Sequence, residues 1–200
     1  MKGRARGSML VVLAGALGSA FPSASVHAQE PPTWPEPPGV PNLRRVTHLD
    51  LGTPAPDFEL PILNEAFLKG NPTTVRLSDL RGQHVILNFW GVRCAPCVIE
   101  HPELTKIWRR FEPRGLLVFG LLSPSESPES AMTWSSLNDP DGYPTLISKD
   151  ATVGADYRVS GIPHTYIIGP DGLVLLSSTG WTPEKKEELI RLLDEILPAD

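Results

Sequence analysis

Val85-Ile-Leu-Asn-Phe-Trp-Gly-Val-Arg-Cys-Ala-Pro-Cys97 is the stretch on which the fold turns. Val85 to Trp90 is a short apolar run rich in β-forming residues; it is too continuous for a half-exposed strand and predicts a central one, buried on both faces. Beyond Gly91 and the cysteines, Leu104, Ile107, Trp108 and Phe111 recur at offsets 0, 3, 4 and 7, the stripe of an amphipathic helix. Pro102 is expected to kink that helix. A Cys-x-x-Cys pair between a buried strand and a helix N-terminus has a specific chemistry. Unpaired amides and the helix dipole favour negative charge at Cys94, so its thiolate should form below the ~8.5 of a free thiol. Cys94 can then attack a disulfide, and Cys97, one turn along, can displace the resulting mixed disulfide. Pro96 is tolerated because first-turn amides have no intrahelical partner. Other uses of the pair fit less well. A purely structural bridge closing so small a loop would constrain the unfolded chain little, and a zinc site would lack its second pair of ligands.

Outward from this stretch, strands and helices alternate. Leu116 to Leu122 reads as a second buried strand, Ser127-Pro128 pairs an N-cap with an N1 proline, and Tyr143 to Ile147 reads as a short strand. His164 to Ile168 and Leu173 to Ser177 flank Gly169-Pro-Asp-Gly172, a hairpin signal. Thr182-Pro183 opens the last helix, whose Leu189, Leu192, Leu193, Ile196 and Leu197 share one face. This order predicts an α/β domain, a mixed sheet covered by helices on both faces. No repeat of a solenoid is visible.

Composition narrows the class. A chain of 200 residues, 40% hydrophobic and 20% charged, suits one soluble domain. Two cysteines exclude a disulfide-dense scaffold, and a net charge of -5 argues against nucleic acid as a partner. Lys2, Arg4 and Arg6 precede an apolar run, Met9 to Phe21, and a small-residue exit at Val26-His27-Ala28, the order of a cleaved signal peptide over residues 1–28. That run, 13 residues long and broken by Gly15 and Gly18, falls short of the ~20 that span a bilayer, so a membrane anchor is the weaker reading. Six of the 22 prolines fall between Pro31 and Pro41, and residues 29–45 are expected to form an extended tether, including Trp34, with the domain in 46–200. From Gln29 onward, 15 basic residues stand against 23 acidic ones, a formal net of -8. The mature chain is expected to be an acidic, soluble monomer outside the cytoplasm, where the cysteines meet an oxidising environment.

Several motifs occur together. Gly52-Thr-Pro-Ala-Pro-Asp-Phe-Glu-Leu60, Val75-Arg-Leu-Ser-Asp-Leu-Arg-Gly82, Leu87-Asn-Phe-Trp90 with Cys94-Ala-Pro-Cys97, Gly161-Ile-Pro163 and Gly169-Pro-Asp-Gly172 resemble, in order, the TlpA/ResA branch of the thioredoxin superfamily. The resemblance runs from about Gly52 to Leu197. It implies a thioredoxin-like fold with an inserted helix and strand, placed at Ser127 to Ile147, and thiol-disulfide exchange outside the cytoplasm. By resemblance, the activity is reduction of protein disulfides, as in cytochrome c maturation or oxidase assembly. The implied partners are extracytoplasmic protein thiols or disulfides and a membrane electron donor, with no cofactor beyond the Cys94-Cys97 disulfide. Relatives commonly have lysine, alanine and tryptophan where this chain has Gln83, Gly91 and Arg93.

The resemblance also assigns residues. Asn88 stands where thioredoxins proper have a buried aspartate, so another group must move protons. Glu100, three residues after Cys97 and on the same helical side, matches a glutamate near the active site of ResA-like proteins and is the candidate. Pro163 resembles the cis-proline that faces the cysteine pair, which would leave the backbone of Ile162 free to pair with an extended substrate. Trp90 is read as packing near the active site and is grouped with Ile162 and Pro163 for substrate binding. Arg93 could stabilise the Cys94 thiolate, and His164, where relatives have threonine, could tune the disulfide; for both, an ordinary structural role competes. His48, His84 and His101 have no metal-ligand spacing. Two other functions remain open. Peroxiredoxins share the Ala-Pro-Asp-Phe opening but place proline and threonine where this chain has Leu87 and Gly91. Copper-delivery relatives would use Cys94, Cys97 and His164, but they carry three residues between their cysteines.

Overall fold

The computed structural model describes residues 48–63, 69–71 and 73–198. The expected signal peptide and tether, with Trp34, lie outside the described residues. Strands β1 (Glu59–Pro61) and β2 (Thr74–Arg76) form a small antiparallel sheet. The main sheet takes β3 (His84–Trp90), β4 (Leu116–Leu122), β5 (Thr145–Ile147), β6 (His164–Ile168) and β7 (Val174–Thr179) in the order β5-β4-β3-β6-β7. β3 runs parallel to β4, and β4 to β5, while β6 and β7 run antiparallel to their neighbours. The helices are α1 (Ala95–Phe111), α2 (Pro128–Asn138), the short α3 (Thr152–Asp156) and α4 (Pro183–Ile196).

Alternation along β3 divides the core. Val85, Leu87 and Phe89 pack with Phe119, Leu121, Tyr166 and Ile168, under Leu49, Phe58 and Tyr157. Ile86 faces the other way, with Val118 and Ile167, onto Leu104, Ile107 and Phe111 of α1 and Leu189 and Leu193 of α4. The two long helices therefore share one face, whereas the other is covered mainly by the segment around β1 and the residues after α3. Leu77 and Leu80 of a 3-10 turn and Val153 of α3 also pack there, so helical elements flank both faces of the mixed sheet as expected, with the extended Gly52–Leu60 motif supplying most of the second cover. Asp57 fixes it: one carboxylate oxygen accepts from the amides of Phe58 (3.0 Å) and Ser78 (2.9 Å), joining two of the quoted motifs. These hydrogen bonds hold the Asp57 carboxyl below its ordinary range, with burial opposing them as the largest single effect.

The helix starts are local. Ser127 and Thr182 cap α2 and α4, their hydroxyls accepting from the amides of Ser130 (3.1 Å) and Lys185 (3.3 Å), each followed by proline. α1 continues through Pro102 to Phe111. The strand expected from Tyr143 begins only at Thr145, since Pro144 has no amide to donate to the ladder, although its carbonyl accepts from Gly120 at 2.9 Å. Gly120 lies opposite Asn88 in β4, and a Cβ there would meet Trp90 Nε1 at 2.7 Å and Tyr143 Cε2 at 3.1 Å. Both rings are buried and cannot withdraw. Gly120→Ala is therefore expected to destabilise by about 1–3 kcal/mol, whereas Gly154→Ala, facing open space in α3, should not. Urea denaturation of both variants checks this; a neutral Gly120→Ala would show that the ring contacts are loose.

Candidate active site

Strand β3 and helix α1 bring the cysteines together at the edge of the core. Cys94 and Cys97 form a disulfide, with Cα atoms 5.2 Å apart. Cys94 is the N-cap of α1, and its Sγ accepts from the Cys97 amide at 3.3 Å, the position that hydroxyls take in α2 and α4. A sulfur placed there meets the positive end of the helix, which favours its thiolate on reduction. The two sulfurs differ in access. Cys94 is partly exposed, whereas Cys97 is fully buried among Trp90, Leu122, Ala131 and Ile147.

Across from the pair, the Ile162–Pro163 peptide bond is cis, and the Ile162 carbonyl oxygen lies 3.6 Å from Cys94 Sγ. Among the described residues, Ile162 shares no backbone hydrogen bond with another residue. Beside it opens a cleft of about 340 Å³ lined by Phe89, Pro124, Val159 and Ile162, among others. A mainly apolar cleft next to unpaired backbone suits an extended polypeptide.

Glu100 lies beneath the cysteines, 1% exposed. Its Oε2 accepts from Asn88 Nδ2 and its Oε1 from Thr165 Oγ1, both at 3.0 Å. Asn88 also donates to Thr165 Oγ1 at 3.0 Å and accepts from Tyr143 Oη at 3.3 Å. Burial pushes the Glu100 carboxyl up to about 7, against the pull of the Asn88 and Thr165 hydrogen bonds and of Lys185. Next to it is a cavity of about 20 Å³, lined also by Thr165, Trp181, Lys185 and Glu188. That is the space of one water.

The structure sorts the remaining residues. Trp90 is fully buried, packed on His101 and Trp134 with centroids 4.5 and 5.3 Å away, so it cannot touch substrate; its assignment to substrate binding is corrected to core packing. The Arg93 guanidinium meets Glu126 Oε2 at 3.1 Å and the Ser125 carbonyl at 2.5 Å, so those groups, not the cysteine sulfur, hold its charge. Glu126 Oε1 accepts from the Arg93 amide at 3.0 Å and sits 3.0 Å from where a Gly91 Cβ would lie. Gly91 and Arg93, two departures from the family pattern, are thus one clamp closed by Glu126. His164 is fully buried, stacked on Tyr166 at 4.6 Å, with its nitrogens 3.0 Å from Ser177 Oγ and Thr179 Oγ1. Burial, helped by His48 and Lys185, pushes it down to about 4, so it is a neutral structural ring at neutral pH. Thr165, Tyr143 and Glu126 were not singled out from the sequence; only the register of Asn88 against Thr165 could have pointed to one of them.

A sheet with this strand order, a cysteine pair capping α1 and a cis-proline opposite it define a thioredoxin-fold thiol-disulfide enzyme. The chain belongs to the AhpC/TSA family, whose family model matches residues 51–177, and within it to the TlpA/ResA-like proteins of the thioredoxin superfamily. It is 30% identical to the thiol:disulfide interchange protein DsbE of Pseudomonas aeruginosa, over 74% of this chain and 77% of that one. It is 33% identical to the thiol-disulfide oxidoreductase ResA of Geobacillus kaustophilus, over 76% and 81%. A crystal structure described as a thiol:disulfide interchange protein DsbE from Chlorobium tepidum superposes with a TM-score of 0.65 at 28% identity, covering 74% of this chain and 98% of that one. The chain is a thiol-disulfide oxidoreductase.

The raised carboxyl has a consequence for stability. Its folded value, about 7, exceeds the ordinary 4.5, so the stability it contributes is complete below pH 4.5 and is lost as pH rises through 7. That loss amounts to about 3 kcal/mol at most. Glu100→Gln should therefore gain on the wild type in thermal unfolding of the oxidised proteins as pH rises from 5 to 8.5. A difference that does not change with pH would place Glu100 in contact with water.

Proposed function

We propose that this oxidoreductase works outside the cytoplasm as a reductant of protein disulfides, in cytochrome c maturation or oxidase assembly, with a membrane electron donor restoring its dithiol. The observation that carries the reading is the asymmetry of the pair: Cys94 at the rim facing Ile162, and Cys97 sealed above a carboxyl titrating near neutrality. The resemblance and the names of the relatives support the chemistry, and the basic, apolar start of the sequence supports export. No helix among the described residues is long and apolar enough to cross a membrane.

In the reduced enzyme the Cys94 thiolate attacks one sulfur of a substrate disulfide, held by strand addition against Ile162. A mixed disulfide forms and the other substrate sulfur leaves as a thiolate, which takes up a proton. Cys97 then loses its proton and attacks Cys94 Sγ. The Cys94-Cys97 bond closes and the second substrate sulfur is released. Glu100, one turn from Cys97, takes the proton and passes it to the small cavity beside Lys185 and Glu188. A peroxidase reading is less well supported, since Leu87 is buried in the sheet and Gly91 is filled over by Glu126, leaving neither proline nor threonine beside Cys94.

Replacing Cys97 by alanine should leave Cys94 joined to its partners. Non-reducing gels of cells producing Cys97→Ala are expected to show adducts with exported proteins that reductant dissolves, and Cys94→Ala should show none. Adducts formed by Cys94→Ala instead, or made only with cytoplasmic proteins, would overturn the proposal.

A further inference from the structure

A second buried titratable group lies one turn beyond Cys97, on the same side of α1. His101 is 1% exposed. Its ring is stacked on Tyr143 (centroids 4.2 Å, planes 19° apart) and packed against Trp90 (4.5 Å) and Trp134 (5.1 Å). Cys97 belongs to the apolar cluster of Trp90 and Trp134, so residues 97 and 101 share their surroundings as well as a helix face. His101 Nδ1 lies 2.8 Å from Asp139 Oδ2, which also accepts from Thr105 Oγ1 at 2.6 Å. Asp139 is thereby aimed at the ring, and the neutral imidazole carries its hydrogen on Nδ1. Nε2 is left as an acceptor, buried and without a partner among the described residues. A carboxylate-anchored imidazole with a bare Nε2, one helical turn from a buried sulfur, is the arrangement of a base and its orienter. In the disulfide form Cys97 has no hydrogen to give; in the dithiol form it has one.

We propose that His101, oriented by Asp139, is a second proton acceptor for Cys97 in the step that resolves the mixed disulfide. This rests on the exchange chemistry proposed above. Cys97 Sγ gives its proton to Nε2, the Cys97–Cys94 bond forms, and the bond between Cys94 and the substrate sulfur breaks. The substrate sulfur leaves with the electron pair and takes a proton from solvent, and the two electrons come from the reduced cysteine pair. The imidazolium returns its proton through a cavity of about 150 Å³, which both His101 and Asp139 line.

The titratable groups in contact with the ring are Asp139 and Tyr143 from the segment between α2 and β5, with Cys97 one turn away on α1; Trp90 of β3 and Trp134 of α2 complete the enclosure. Tyr143 stays a phenol, since burial and the charges of Glu100 and Asp139 raise its pKa well above the ordinary value. Burial lowers the His101 imidazole from its ordinary value, partly opposed by Asp139, whereas burial raises the Glu100 carboxyl to about 7. Burial thus shifts the two groups in opposite directions, each toward its neutral form.

The test uses the full reduced protein and a chromogenic aromatic disulfide that releases a coloured thiolate twice, first when Cys94 attacks and again when Cys97 resolves. Between pH 5 and 7, His101→Phe, which keeps an aromatic ring and removes the nitrogens, should slow the second release by about tenfold or more and leave the first unchanged. Glu100→Gln should slow the second release mainly above pH 7. Asp139→Asn should slow it and move its acid limb to lower pH, because the carboxylate raises the imidazole pKa. If His101→Phe does not fold, His101→Gln gives the same reading. A second release at the wild-type rate from pH 5 to 7, or equal slowing of both releases at every pH, overturns the proposal. Absence of the first release in the wild type would instead refute the exchange chemistry itself.

Discussion

Glu100 puts a carboxyl group into the interior between α1 and the sheet, where an ionised, unpaired carboxylate would cost several kcal/mol. Two donors, Asn88 Nδ2 and Thr165 Oγ1, are aimed at it, and each comes from a strand paired to the other in register. Asn88 is held in turn by Tyr143, so the carboxyl, the amide and the phenol form one buried chain of hydrogen bonds reaching from β6 to the segment before β5. The opposition between burial and hydrogen bonding leaves the carboxyl near neutrality. An aspartate at position 88 would have added a second negative charge to this chain; asparagine adds a donor. The inserted α2 and β5 belong to the same arrangement, because the segment joining them supplies Tyr143 and Asp139.

The two cysteines take their different roles from the ends of the elements they sit on. Cys94 has the polar end of α1 behind it and the cis-proline loop in front, with the Gly91-Arg93-Glu126 clamp closing one side of the rim. Cys97 has tryptophans, aliphatic side chains and two titratable groups one turn away. In the proposed mechanism attack falls to the solvated sulfur and resolution to the buried one, beside the groups that would take its proton. The apolar cleft beside Ile162 lies at the Cys94 side, so the proposed substrate groove and the proposed proton acceptors occupy different places.

Much of this was legible wherever the signal is local. Ser127-Pro128 and Thr182-Pro183 start helices because a cap and an N1 proline act over a single turn, and the unbroken run before Trp90 could only be a buried strand. The same continuity hid which side of that strand each residue faces: Trp90, grouped with the substrate-binding residues, has the parity of Ile86 and only its packing role survives, in the core. β1, β2 and α3 are three to five residues long and carry no period to read. Tyr143, Asp139 and Thr165 meet their partners across 55, 38 and 65 residues, and no spacing within a motif could connect them. Glu126 was invisible for the same reason, although the departures at Gly91 and Arg93 marked the place where it would act.

In the proposed mechanism the proton on Glu100 is coupled to the redox state of the pair, since a thiolate formed beside it raises its pKa through like-charge repulsion. The most direct measurement is the reduction potential of the wild type and of Glu100→Gln, equilibrated against a dithiol buffer across pH 5 to 9. Two curves that differ in slope around pH 7 are expected, because the carboxyl changes charge there in the wild type alone. Parallel curves over that whole range would contradict that coupling.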